Sequence, residues 1–127
     1  MSRQKSAEPR TFVAEGGRYP FGPFVPNAPA YALAAAVFAA NLMAYMDGAL
    51  EVVGEGTDST IRESQSTLSK KAEVSQAVLS RILTGATYPD LNSIARIEEY
   101  VGLQLWGKLS ERRLILEGSY RPIASRG

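Results

Sequence analysis

An almost unbroken apolar run from Ala28 to Ala40 constrains this chain more than any other feature. Leu33, Val37, Phe38, Leu42, Tyr45 and Met46 recur through and beyond it at three- and four-residue steps, the period of a helix. The many alanines favour helix and let a neighbouring element come close. The pattern predicts a helix from Pro29 or Ala30 to Met46, ended by Asp47-Gly48, because glycine readily takes the left-handed cap. The run is about as long as a membrane span. However, it is rich in alanine, contains Asn41 and lies too far from the start for a simple signal peptide. A buried helix in a soluble bundle accounts for it better.

The flanks are of a different character. Residues 1–10 are polar. In residues 11–29, Pro20, Pro23, Pro26 and Pro29 fall at spacing three beside Gly16, Gly17 and Gly22, which blocks helix and allows polyproline-like extension. Phe12, Tyr19, Phe21 and Phe24 are interleaved, so this arm should pack on its own domain, a dimer partner or a DNA groove. Near the other end, Leu114-Ile-Leu116, bounded by Glu117-Gly118, reads as a short strand. Phe12–Pro20 and Leu114–Pro122 share an order of residue types that would let the two segments pair.

Between residues 66 and 102 the signals are local and clean. Ser66 or Thr67 caps a helix running to Ala72, and Glu73-Val74 makes a turn. Ser75 caps a second helix, Gln76–Thr84, closed by Gly85, with Val74, Leu79, Ile82 and Leu83 facing inward. Pro89-Asp90 starts another helix whose stripe is Leu91, Ile94, Ile97, Glu98 and Val101, its apolar members in the core, and Gly102 ends it. Leu103, Leu105 and Trp106 close the core or start a further helix. Upstream, Ala49–Val53 is a strand or a helical turn, Gly54-Glu-Gly56 breaks it, and Ile61–Gln65 is an extra helical turn. Residues 1–28 thus form a flexible or extended arm, 29–106 a domain with a long irregular segment at 47–65, and 107–127 a tail.

Composition narrows the chemistry. The 127 residues include no cysteine and no histidine, so disulfides, thiolate or imidazole metal ligands and histidine-based proton transfer are all excluded. No spaced carboxylate cluster suggests a metal site, and no nucleophile is paired with a base. We therefore expect neither a catalytic residue nor a cofactor, and a cytoplasmic, reducing location. The net charge of +1 hides a sorting along the chain. Asp47, Glu51, Glu55, Asp58 and Glu63 against Arg62 make residues 31–65 acidic; Lys70, Lys71 and Arg81 against Glu73 make residues 66–88 basic. A local basic face can exist on a nearly neutral protein.

The run Leu68–Gly85 resembles the Cro/C1-type, or Xre-like, helix-turn-helix family. The family's pattern of leucine-alanine, glycine-valine-serine, then serine-arginine-isoleucine and glycine is met by Leu68, Val74, Ser75, Leu79, Ser80, Arg81, Ile82 and Gly85. Pro89, Leu91, Ile94, Ile97 and Gly102 continue it, so the likeness covers about residues 65–106. It is also similar to repressors carried by phages or mobile elements. Two departures stand out: Glu73 occupies the turn position where the family has glycine, and residues 47–65 lengthen the first connection. The resemblance implies an all-α, lambda-repressor-like small bundle, here with the N-terminal arm and the short C-terminal strand. The alanine-rich helix would be its first helix.

The implied chemistry is groove reading. The major groove admits an α-helix and presents each base pair differently. Gln76 can pair bidentately with adenine and Ala77 can touch a thymine methyl, while Ser80, Arg81 and Thr84 lie further along the same side; Arg81 suits either guanine or a phosphate. Phosphate contacts would come from Gln65, Ser66 and Thr67, helped by free helix N–H groups, from Lys70 and Lys71, and from the hydroxyls of Thr87 and Tyr88. The expected partner is double-stranded DNA bound by a homodimer, joined through the arm 11–29, the acidic segment 48–60 or the tail 112–123, with Trp106, Leu114 and Leu116 as candidate contacts. Arg18, Arg121 and Arg126 could track a groove from the arms. The expected role is sequence-specific transcriptional repression. The rivals are a protein-interaction module such as an antitoxin, and an architectural or replication-associated DNA binder.

Overall fold

The computed structural model describes residues 7–48 and 63–122. A 3-10 turn at Pro9–Phe12 leads into strands β1 (Val13–Arg18) and β2 (Gly22–Phe24). Five helices follow: α1 (Ala30–Met46), α2 (Gln65–Ala72), α3 (Gln76–Thr84), α4 (Leu91–Val101) and α5 (Leu109–Glu117). The described residues thus form a small mixed α/β domain with one two-stranded antiparallel hairpin. Among them, no helix is long and apolar enough to cross a membrane.

The apolar run becomes α1, and every side chain from Ala32 to Leu42 is buried. At about 100° per residue, one face carries Phe38, Leu42 and Tyr45, and the opposite face carries Leu33, Ala36, Val37 and Ala40. The first face joins Leu68, Leu79, Ile82, Ile97 and Leu105 in one core. The second joins Phe24, Ile115 and Tyr120 in another, with Phe12, Val13, Tyr19 and Phe21 at its margin. The helix is therefore a wall shared by two cores, which explains its lack of a polar face.

Asn41 is the polar exception in that wall. Its amide donates to the Leu105 carbonyl at 3.0 Å, and its carbonyl accepts from the Tyr120 hydroxyl at 2.7 Å. One buried side chain thus ties the loop after α4 to the chain after α5. The same loop is fixed by Glu98, whose carboxylate accepts from the backbone N–H groups of Leu105 (2.8 Å) and Trp106 (2.9 Å).

Both flanks differ from expectation, and the first of them makes the fold mixed rather than all-α. The proline- and glycine-rich arm is a hairpin, with Val13 opposite Phe24 and Arg18 opposite Gly22, and it packs on its own domain. Gly22 has φ 76°, and a Cβ there would lie 2.5 Å from the Ile115 carbonyl, so only glycine lets β2 rest on α5. The expected strand at Leu114–Leu116 is the last part of α5, which buries Ile115. An apolar triplet is too short to show whether its period is two or 3.6. The imagined pairing of Phe12–Pro20 with Leu114–Pro122 is absent, because β1 pairs with β2.

Two smaller corrections concern helix starts. The cap of α2 is Ser64, not Ser66 or Thr67. Leu91 is 83 % exposed and outside the core, as the first residue of α4 after the Asp90 cap. The readings of Ala49–Val53 and of the break at Gly54–Gly56 lie outside the described residues, as do Ile61 and Arg62; the extra turn expected at Ile61–Gln65 does not form over its described part, because Glu63 and Ser64 are not helical and Gln65 opens α2 itself. The Glu63 N–H donates to the Met46 carbonyl at 3.0 Å, so the chain comes back to the end of α1 before starting α2.

Candidate nucleic-acid interface

The segment α2–turn–α3 is capped by its own side chains. Ser64 Oγ accepts from the Thr67 N–H at 3.1 Å, and Ser75 Oγ accepts from the Val78 N–H at 3.1 Å. The turn between the helices is held by Ser69, whose hydroxyl donates to the Val74 carbonyl at 2.6 Å, while the Val74 N–H donates to the Ser69 carbonyl. Glu73 adopts a left-handed conformation (φ 63°, ψ 43°), the geometry that favours glycine. The Arg96 guanidinium of α4 meets the Glu73 carboxylate at 3.0 Å, and another of its nitrogens meets Asn92 at 3.0 Å. Arg96 thus braces the one turn residue that departs from the family pattern.

Burial then sorts α3 into two faces. Leu79, Ile82 and Leu83 are buried, and Val74 joins them from the turn. Ser75, Gln76, Ala77, Arg81 and Thr84 are exposed, and Ser80 is half-buried beside them. The side chains expected to read bases therefore share one open face, with its forward end at Gln76 and Ala77. Thr84 is less free than the others: its hydroxyl bonds the Ser80 carbonyl at 3.1 Å.

The expected phosphate-contacting residues spread over three places. Ser66, Lys70 and Lys71 are exposed on α2, and Gln65 and Thr67 are half-buried. Thr67 accepts a hydrogen bond from Ser64, which draws it into the cap. Among the described residues, the ion pairs join Arg10 to Glu8 and Arg96 to Glu73, and none of the described carboxylates pairs with Lys70, Lys71 or Arg81. Thr87 and Tyr88 are half-buried in the loop after α3. Tyr88 packs edge-on against Tyr31 and donates its hydroxyl to the Ala7 carbonyl at 2.9 Å. Burial, with Tyr31 beside it, pushes the Tyr88 hydroxyl up to about 12, so its proton stays on at neutral pH. That proton is committed within the chain, leaving the oxygen's acceptor side, which is of no use to a phosphate.

The candidate dimer contacts also separate. Trp106 packs on the core beside Phe38, and Leu116 packs at the margin of the second core, whereas Leu114 is 43 % exposed. Arg18 and Arg121 are exposed, and Arg126 and residues 49–60 lie outside the described residues. An open cleft of about 520 Å³ between α2 and α4, lined by Lys71, Glu73, Asn92, Arg96, Glu99 and Tyr100, is crossed by the Arg96–Glu73 pair. Among the described residues, no group of three or more aspartate or glutamate side chains could hold a metal ion.

Some features of the site carried no readable signal. Nothing near Arg96 in the sequence points to Glu73, 23 positions away. Arg10, in a stretch read only as polar, lies against the end of α3: its N–H donates to the Gly85 carbonyl at 3.1 Å. Ser64 could have been found, since it stands three residues before Thr67 and directly before the helix. Searches against protein-family models, curated proteins and solved structures return no significant match to this chain. The likeness to the Cro/C1-type family therefore stands on the motif residues alone.

Proposed function

We propose that this chain binds double-stranded DNA through α2 and α3, with α3 in the major groove, and represses transcription as a dimer on a palindromic operator. One observation carries the reading. α3 is held from behind by Val74, Leu79, Ile82 and Leu83, while Ser75, Gln76, Ala77 and Arg81 stand exposed at and beyond its capped N-terminal end. A helix supported along one side and open at its forward end is what groove reading requires. In this reading Gln76 and Ala77 meet base edges, and Ser80 and Arg81 follow along the groove. Lys70, Lys71 and the start of α2 lie on the phosphate backbone. A single module of this size covers too little DNA to find a unique site, so two copies would share an operator.

Selection of bound duplexes from a random DNA pool tests the reading. A palindromic consensus is the expected result, with its preference altered in Gln76→Ala. Salt-sensitive binding to every sequence alike would overturn it and point to an architectural DNA binder, because phosphate attraction alone has no sequence preference. No DNA binding, with a protein partner held in fixed proportion, would instead point to an interaction module such as an antitoxin.

A further inference from the structure

We infer that Arg10, outside the helix-turn-helix, extends the DNA interface as a phosphate-contacting residue at the C-terminal end of α3. The inference rests on the DNA-binding reading above. Its ground is the seating of residues 7–10 along that helix end. The Arg10 N–H donates to the Gly85 carbonyl at 3.1 Å, and Tyr88 holds the Ala7 carbonyl at 2.9 Å. Pro9 is fully buried between these two anchors. Gly85 itself has no room for a side chain, since a Cβ would lie 2.9 Å from the Arg10 Cβ and 2.8 Å from the Tyr19 ring. Arg10 is thus fixed in backbone position, while its side chain remains 51 % exposed.

Length and charge give that position its meaning. The nine residues of α3 span about 13 Å at roughly 1.5 Å each. The major groove is about 12 Å wide. With Gln76 at the base edges, the end at Gly85 reaches the phosphate wall of the groove. A helix C-terminus carries roughly half a negative charge and would repel that wall. The Arg10 side chain leaves the backbone beside that helix end, within reach to offset this repulsion and to bond a phosphate itself. Its ion pair with Glu8 engages only Nε, at 2.9 Å, on an exposed surface where such pairs are weak. A guanidinium has four further N–H donors for a phosphate.

The test is anisotropy of a labelled duplex of the selected sequence, and of a scrambled duplex, titrated with the full chain at several salt concentrations. Losing one phosphate contact should flatten the slope of log K against log salt by about 0.9 and weaken binding roughly eightfold at 0.1 M salt. Arg10→Ala is expected to do this on both duplexes equally, Arg10→Lys to keep the slope, and Gln76→Ala to change the preference between duplexes without changing the slope. An unchanged slope in Arg10→Ala overturns the inference, even if affinity falls. If Arg10→Ala melts too low to assay, Arg10→Gln, which keeps most of the stem, is judged against Arg10→Lys by the same slope. If the wild-type chain binds neither duplex, the DNA-binding reading itself fails and the role of Arg10 falls with it. If it binds and only the slope criterion fails, Arg10 alone is excluded.

Discussion

On one face of α1, Phe38, Leu42 and Tyr45 meet large side chains from α2, α3 and α4; on the other, Ala36 and Ala40 let β2 and α5 come close. The first core is keyed by side chains, and the three helices that meet α1 there each start at a capping residue: Ser64, Ser75 or Asp90. The second core depends on the approach of backbones. Gly22 lies under the Ile115 carbonyl, and a Cβ on Gly107 would lie 2.8 Å from the Val37 Cβ and 3.0 Å from the Ala34 Cα. The two halves divide the work on α3 as well. The side-chain core supports the helix from behind and leaves Gln76 and Ala77 open, while the hairpin side holds its far end through Tyr19 and Arg10 at Gly85. A helix fixed at its back and its tail has one free end.

The largest expected effects test whether the two cores are one cooperative unit. Phe38→Ala should cost about 3–5 kcal/mol and Ile115→Ala about 2–5 kcal/mol, since both side chains are fully buried, one in each core. Because α1 belongs to both, urea unfolding followed by Trp106 fluorescence and by far-UV circular dichroism should give one shared transition in each variant. Separate transitions in Ile115→Ala would mean that the hairpin side is an appendage.

A smaller effect sharpens the link at Asn41. Asn41→Leu leaves the Leu105 carbonyl and the Tyr120 hydroxyl without their partner, at a cost of about 1–3 kcal/mol. Tyr120→Phe should cost less in the Asn41→Leu background than in the wild type, by about 0.5 kcal/mol or more in a double-mutant cycle. Strict additivity would show that the bond between Asn41 and Tyr120 does not couple the halves.

The smallest effect concerns the turn. Glu73→Gly removes a left-handed penalty of about 1–2 kcal/mol. It also loses an exposed ion pair to Arg96 worth at most about 1 kcal/mol. The unfolded chain gains some freedom, so the net expectation is a stabilisation of up to about 1 kcal/mol, read as a higher melting temperature. A lower melting temperature would show that the brace from Arg96 outweighs the strain.

The same contrast explains what could be read from the sequence. The caps at Ser75 and Asp90, the stops at Gly85 and Gly102, and the buried Val74, Leu79 and Ile82 were legible because each depends on residues within one or two turns. The extent of α1 was legible for the same reason, but its two-sided burial depended on which elements came to lie on it. The hairpin was hidden because its prolines and glycines signal only the absence of helix, and its bed on α5 is non-local. The strand expected at Leu114–Leu116 failed because helix and strand look alike over three apolar residues. At the candidate interface, the exposure of Gln76, Ala77 and Arg81 followed from the helical period. The commitment of Tyr88 to Ala7 and the seating of Arg10 on Gly85 came from a segment more than 70 residues away.

Chemical-shift mapping tests the central claim most directly, by titrating the 15N-labelled full chain with the duplex recovered by selection. The expected changes concentrate at Ser75–Arg81 and at Gln65–Thr67, with the exposed side of α5 and β1 unaffected. Changes centred on α5 or the hairpin, with Gln76 and Ala77 unmoved, would contradict the assignment of α3 as the reading helix.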